Sequence, residues 1–146
     1  MDEYEQIDIL LVEDNPRDAE LTLRGLKDQK VANQVTWVKD GEEALDYVFR
    51  RGRYAGRTSS GPRLILLDLK MPRVDGMEVM REIKNNDQTR RIPVVIMTSS
   101  REEKDIADTY NLGANSYIVK PLDFESLAEV ARQAGFYWLA INHSGI

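Results

Sequence analysis

Glu13-Asp14, Asp68, Thr98 and Lys120 each follow a short apolar run or fall at its end. In an open parallel α/β sheet, ligands bind at the carboxyl ends of the strands. If these runs are such strands, three carboxylates, a hydroxyl and an ammonium meet on one rim. A lone acidic residue after a strand is more often a helix cap, so only the convergence points to chemistry. Crowded carboxylates cost energy unless a cation or a raised pKa relieves them. Oxygen ligands with no His or Cys beside them select a hard cation, Mg²⁺ or Mn²⁺. An Asp in such a site can attack phosphorus to give an aspartyl phosphate. A fixed lysine charge and a threonine hydroxyl suit the transferring phosphoryl group.

Composition narrows the field. The 146 residues contain no Cys and a single His, His143, with 42% hydrophobic residues and a net charge of −5. Disulfides, thiolate sites and multi-histidine metal sites are excluded, and a Ser-His-Asp triad is disfavoured. The acidic balance disfavours broad binding to nucleic acid. The longest apolar run, Phe136–Ile141, is far below the roughly 20 residues of a membrane span, and the acidic N-terminus is unlike a secretory signal. No membrane association and a cytoplasmic location are expected.

The elements that must position these groups are legible as alternating patterns. Ile9–Val12, Val35–Val38, Leu64–Leu67, Val94–Met97 and Tyr117–Val119 read as strands. Four of them are near-continuous, as strands buried on both faces are; Val35–Val38 is broken by Thr36 and Trp37. Ala44, Leu45, Val48 and Phe49, and then Val79, Met80 and Ile83, recur at helical spacing. Asn15-Pro16 reads as a cap followed by proline at the first helical position. Asp40 with Glu43, and Asp75 with Glu78, have capping-box spacing. The pattern predicts one α/β domain over 1–146, a (βα)5 doubly wound parallel five-stranded sheet with helices on both faces. Arg50–Arg63 breaks the rhythm. Its five arginines in an acidic chain mark either a docking surface or a solvated flexible loop, and the loop is the preferred reading.

Four motifs then carry a resemblance: Ile9-Leu10-Leu11-Val12-Glu13-Asp14-Asn15; Leu66-Leu67-Asp68-Leu69-Lys70-Met71-Pro72 with Asp75-Gly76; Met97-Thr98-Ser99; and Tyr117-Ile118-Val119-Lys120-Pro121. Over roughly residues 7–131 the chain resembles the receiver domains of two-component response regulators. The resemblance implies a flavodoxin-like receiver fold with strand order 2-1-3-4-5. It implies Asp68 as phosphoacceptor, with Asp14, Asp68 and the Lys70 backbone carbonyl on Mg²⁺ (Mn²⁺ being possible) and Glu13 acting through water. Thr98 and Lys120 would follow the phosphoryl group, and Tyr117 would be the aromatic switch. The donor would be a sensor histidine kinase. Tyr110–Tyr117, the Arg-rich loop and Phe136-Tyr137-Trp138-Leu139 further resemble single-domain response regulators that partner phytochrome-type kinases. The side chains of Lys70 and Ser100 would flank the site.

The end of the chain is read separately. Leu127, Ala131, Ala134, Trp138 and Ile141 are spaced 4, 3, 4, 3, a coiled-coil-like seam; Phe136, Leu139 and Ala140 fall off it, and the aromatics Phe136, Tyr137 and Trp138 in a row leave apolar surface on a second face. Residues 132–146 are therefore expected to extend the last helix into an arm that forms a homodimer contact. The function so read is a phosphorylation-activated switch, not an enzyme, acting by contact with an unknown downstream protein and without an output domain. Alternatives are a phosphorelay intermediate that passes the group to a histidine phosphotransfer protein, and a structural adaptor acting through the arm. A haloacid-dehalogenase-type phosphatase needs a second Asp at position 70, where Lys70 stands. A nucleotide- or flavin-binding module needs a phosphate loop where acidic Glu13-Asp14-Asn15-Pro16 stands.

Overall fold

The computed structural model describes residues 8–28, 34–58, 61–71, 73–99 and 102–120. Five strands, β1 (Asp8–Val12), β2 (Gln34–Val38), β3 (Leu64–Leu67), β4 (Val94–Thr98) and β5 (Ser116–Val119), form one sheet. Every pairing is parallel, and the order is 2-1-3-4-5. The intervening helices are α1 (Pro16–Asp28), α2 (Gly41–Phe49), α3 (Gly76–Lys84) and α4 (Glu103–Asn111). This is the flavodoxin-like doubly wound arrangement that the resemblance implied. The segment expected to form a fifth helix, and the arm at 132–146 with Phe136, Tyr137, Trp138 and Leu139, lie outside the described residues.

Strand alternation sorts the apolar runs onto two faces. Leu10, Val12, Ile65, Leu67, Val94 and Ile96 face one way, against Ala44, Leu45 and Val48 of α2 and Val79, Met80 and Ile83 of α3. Ile9, Leu11, Leu64, Leu66, Val95 and Met97 face the other way, with Ala19 and Leu26 of α1. At roughly 1.5–3 kcal/mol for each large side chain withdrawn from water, these two layers dominate the stability of the sheet. Every residue of β1, β3 and β4 is buried, whereas β2 is mostly half-exposed. The polar interruption by Thr36 and Trp37 thus marks an edge strand, which has water on part of its surface.

The predicted helix starts are present. Asn15 Oδ1 accepts from the Arg17 and Asp18 N–H groups, with Pro16 the first helical residue. Asp40 Oδ1 accepts from Glu43 N and Asp75 Oδ1 from Glu78 N, at 2.8 and 3.0 Å. In the first of these pairs Glu43 Oε1 returns to the Lys39 N–H, one residue before the cap, rather than to the cap itself. Among the described residues no helix is long and apolar enough to cross a membrane.

The Arg-rich segment is not a freely solvated loop, and that expectation is corrected. A single 3-10 turn, Gly52–Tyr54, folds it back onto α2. Arg57 donates from Nε to the Tyr47 carbonyl and from Nη2 to that of Val48, with its guanidinium 4.8 Å from the Tyr47 ring centroid. These contacts add donors at the last carbonyls of α2, where the helix supplies few N–H groups of its own. Tyr47 donates to Asp8 Oδ2 at 2.8 Å and meets Tyr54 edge-on. Burial raises the Asp8 pKa despite that bond and the nearby Arg57 charge.

Gly76 shows how tightly the loop after β3 is drawn in. A Cβ at this position would stand 2.3 Å from the Asp68 carbonyl oxygen and 2.6 Å from Leu69 Cα, while its N–H bonds the Leu69 carbonyl. Backbone cannot yield as a flexible side chain does. Gly76→Ala is expected to destabilise the fold by about 2 kcal/mol or more, read as a lowered urea midpoint with unchanged slope. An unshifted midpoint would contradict the close approach.

Candidate functional site

Register brings the chemistry-bearing residues to one rim. Val12 pairs with Leu67, Leu67 with Ile96, and Thr98 with Val119, so the β1, β3, β4 and β5 ends lie together. The ladder continues one step beyond the strands. Glu13 N bonds Val38 O, Asp68 N bonds Val12 O, and Lys120 N bonds Thr98 O, at 3.1, 3.1 and 2.8 Å. Those bonds fix the backbones of the residues singled out in the sequence.

Asp68 is 4% exposed. Its Oδ1 accepts the Lys70 N–H and its Oδ2 accepts from Lys120 Nζ, each at 3.1 Å. Glu13 is fully buried. Its Oε2 accepts the Asn15 N–H, and its Oε1 lies 2.5 Å from Lys120 Nζ. Asp14, by contrast, is exposed. Carboxylate oxygens of Glu13, Asp14 and Asp68 all lie within 4.8 Å of one another. Lys120 Nζ makes a third contact, donating to Asp18 Oδ2 of α1 at 3.1 Å. Three carboxylates thus contact one ammonium, Asp14 stands as a fourth acid beside Glu13 and Asp68, and with all four ionised three negative charges stay unbalanced.

The electrostatics follow from burial. Desolvation, with the Asp68 charge adding to it, pushes the Glu13 pKa up to about 7, although the Lys120 and Asn15 hydrogen bonds oppose the shift. Burial alone would lower the Lys120 pKa. The Glu13 hydrogen bond and the Asp68 and Glu13 charges outweigh burial and raise it. A buried, proton-retaining carboxyl beside an exposed one is a donor set that a hard divalent cation would relieve, and the oxygen-only chemistry fits Mg²⁺ or Mn²⁺.

Thr98 closes β4 and is fully buried. Tyr117 is half-buried against the layer that holds Ile96, its partner across β4 and β5. A cavity of about 440 Å³ opens beside the rim, lined by Asp14, Lys70, Met71, Met77 and Asp105 among others. Lys70 Nζ reaches toward Asp105 of α4 at 3.8 Å and is 65% exposed. Its backbone N–H is the group that touches Asp68. Ser100 and Pro121 lie outside the described residues.

Sequence reasoning missed three participants. Asp18 lies one helical turn beyond Asp14, and that spacing would have placed it above the same rim. Trp37 donates from Nε1 to the Glu13 carbonyl at 2.7 Å, pinning the β1–α1 turn from the edge strand. Asp105 takes the Lys70 side chain. The last two depend on cross-strand and loop-to-helix placement, which no spacing along the chain encodes.

Comparison with known proteins agrees with this geometry. Residues 9–132 match the family described as response regulator receiver domain. The chain is 43% identical over 93% of its length to the probable methanogenesis regulatory protein FilR2 of Methanothrix harundinacea, covering 86% of that protein. It is 50% identical to the solved bacteriophytochrome response regulator AtBRR, with a TM-score of 0.79 over 89% of this chain and 92% of the other. The Mn²⁺-bound form of the response regulator Rcp1 superposes with a TM-score of 0.77 at 37% identity, over 91% and 94% of the two chains. Rcp1 comes from a Synechocystis strain.

The sign of the Glu13 shift gives a test. A carboxyl whose folded pKa is raised contributes stability that is fully present below its ordinary value of 4.5 and lost as pH rises through about 7. Lys120 offsets that loss when Glu13 is ionised. Lys120→Met should therefore destabilise the metal-free protein strongly at pH 8, by about 3 kcal/mol as for a broken buried pair, and much less at pH 5. Urea unfolding in EDTA at the two pH values measures this; equal losses would mean that Glu13 does not carry the charge.

Proposed function

This chain belongs to the response regulator receiver domain family, and on that premise we propose that it is a phosphorylation-driven switch that takes a phosphoryl group from a sensor histidine kinase onto Asp68. One observation carries the reading. A nearly buried Asp68 carboxylate shares the Lys120 ammonium with Glu13, and Asp14 lies within reach of both acids.

The transfer is a displacement at phosphorus. An Asp68 carboxylate oxygen forms the new O–P bond while the P–N bond to the donor histidine breaks. The leaving imidazole keeps the bonding pair and takes a proton from solvent. Asp14, Asp68 and the Lys70 carbonyl, with Glu13 through water, would hold a Mg²⁺ ion that offsets charge on the phosphoryl oxygens. Lys120 presents its ammonium to the same group, and the Lys70 N–H holds Asp68 in place. The product carries roughly −1.5 to −2 charges where one stood before. Thr98 turns its hydroxyl toward that charge, and Tyr117 occupies the space released. Output is by contact with a downstream protein in the cytoplasm, and the chain is a phosphoacceptor rather than an enzyme acting on a separate substrate.

The likeness to a bacteriophytochrome response regulator favours a phytochrome-type kinase; the likeness to a methanogenesis regulatory protein favours a different stimulus on the same chemistry. A phosphorelay role differs only in the group leaving Asp68 again for a histidine phosphotransfer protein. Dimerisation through residues 132–146 would hide Phe136, Tyr137, Trp138 and Leu139 against a second copy. An adaptor acting through that arm alone would bind its target with Asp68 removed.

Acetyl phosphate with Mg²⁺ is expected to label the chain once, with an acid-stable, base-labile bond, and EDTA should stop it. Asp68→Asn should abolish the label, whereas Thr98→Ala should take it up without the change in Tyr117 environment seen by NMR. Full labelling of Asp68→Asn would refute the assignment. By light scattering the intact chain should run near twice 16.7 kDa, with Trp138→Glu and a truncation after Gln133 shifted to monomer; a monomeric intact chain, labelled or not, would remove the arm from this role.

A further inference from the structure

We infer that Asp18 is a positioning residue for Lys120, a movable third anchor that holds the ammonium in the unphosphorylated state and yields it when a phosphoryl group arrives. The inference rests on the reading of Asp68 as phosphoacceptor.

An ammonium has three donors and no acceptor. Lys120 Nζ donates to Asp18 Oδ2 and Asp68 Oδ2, each at 3.1 Å, and forms an ion pair with Glu13 Oε1 at 2.5 Å. An incoming phosphoryl oxygen therefore meets an ammonium already shared among three carboxylates, and one of these contacts opens to admit it. The three are unequal. The Glu13 side chain is 0% exposed and that of Asp68 6%, but that of Asp18 is 37% exposed. Leaving Glu13 would strip a fully buried carboxyl group, out of reach of water, of its cationic neighbour, and leaving Asp68 would move the ammonium off the acceptor. Leaving Asp18 costs little, because water replaces the lost partner. The carboxylate is kept in place meanwhile by the helix: its own N–H is held by Asn15 Oδ1, its carbonyl accepts the Thr22 hydroxyl, and an anion in the first turn is favoured by the helix dipole.

Asp18 thus sets how readily Lys120 moves toward the transferring group. It also stands partly in solvent on the surface of α1, so any partner that engages this carboxylate would free the ammonium at the moment of transfer. Among the described residues, neither Lys70 nor Arg24 duplicates the arrangement. Lys70 reaches toward Asp105, and Arg24, one turn or more further along α1, pairs with Glu20 in solvent.

The test uses the intact chain, acetyl phosphate and Mg²⁺. Asp18→Ala removes the anchor from a half-exposed helical position without creating a cavity. The maximal rate of label formation at saturating acetyl phosphate should rise by about two- to fivefold, the size of one solvent-screened charge contact. Hydrogen exchange of the Lys120 ammonium, followed by nitrogen NMR without phosphodonor, should quicken in the same variant. Asp18→Glu should restore both. An unchanged maximal rate overturns the inference, and so does a changed rate with unchanged ammonium exchange. The reading of Asp68 fails separately: it falls, and this inference with it, only if the parent chain takes no label or Asp68→Asn keeps it.

Discussion

Lys120 Nζ lies within 3.1 Å of three carboxylates, one just beyond β1, one on α1 and one just beyond β3, and the geometry of the rim depends on that shared ammonium. Without it the buried Glu13 would hold its proton still more tightly, and Asp68 would face its acidic neighbours with only one N–H to hold it. The cost of concentrating like charges in a low-dielectric pocket is what gives the site its response. It prepares the pocket for a cation and makes a change of charge at Asp68 an event that other groups must answer.

The parallel sheet is the device that allows such crowding. Backbone hydrogen bonds beyond the strand ends hold Glu13, Asp68 and Lys120 by their main chains, so repulsion between side chains cannot spread them apart. Beneath the rim, β1, β3 and β4 are buried on both faces, and close-packed interiors transmit strain rather than absorb it. The Gly76 approach to the Asp68 carbonyl is part of the same constraint: α3 begins where the loop after β3 has no room for a side chain.

The Arg-rich segment follows another logic. Its length and polarity predicted solvation, yet Arg57 folds it onto the end of α2 through two carbonyls and the Tyr47 ring. That attachment continues through Tyr47 to Asp8 at the start of β1, so the loop braces the end of the sheet opposite the acidic rim. Composition alone cannot distinguish an arginine in water from one that finishes a helix, because the deciding groups are backbone carbonyls whose exposure depends on the fold.

The sequence by itself determined the strand runs, the helix caps at Asn15, Asp40 and Asp75, and the identity of Glu13, Asp14, Asp68, Thr98 and Lys120 as rim residues. All of these rest on local periodicity, on side-chain-to-backbone bonds a few residues long, or on position at the end of an apolar run. Tertiary structure alone decided that Trp37 would hold the Glu13 carbonyl, that Lys70 would turn to Asp105, and that Asp18 would share Lys120 with Glu13 and Asp68. Asp18 and Lys120 are separated by 102 positions. Spacing along the chain puts Asp18 over the rim, but only strand register and the docking of α1 on the sheet bring it within hydrogen-bond reach of Lys120.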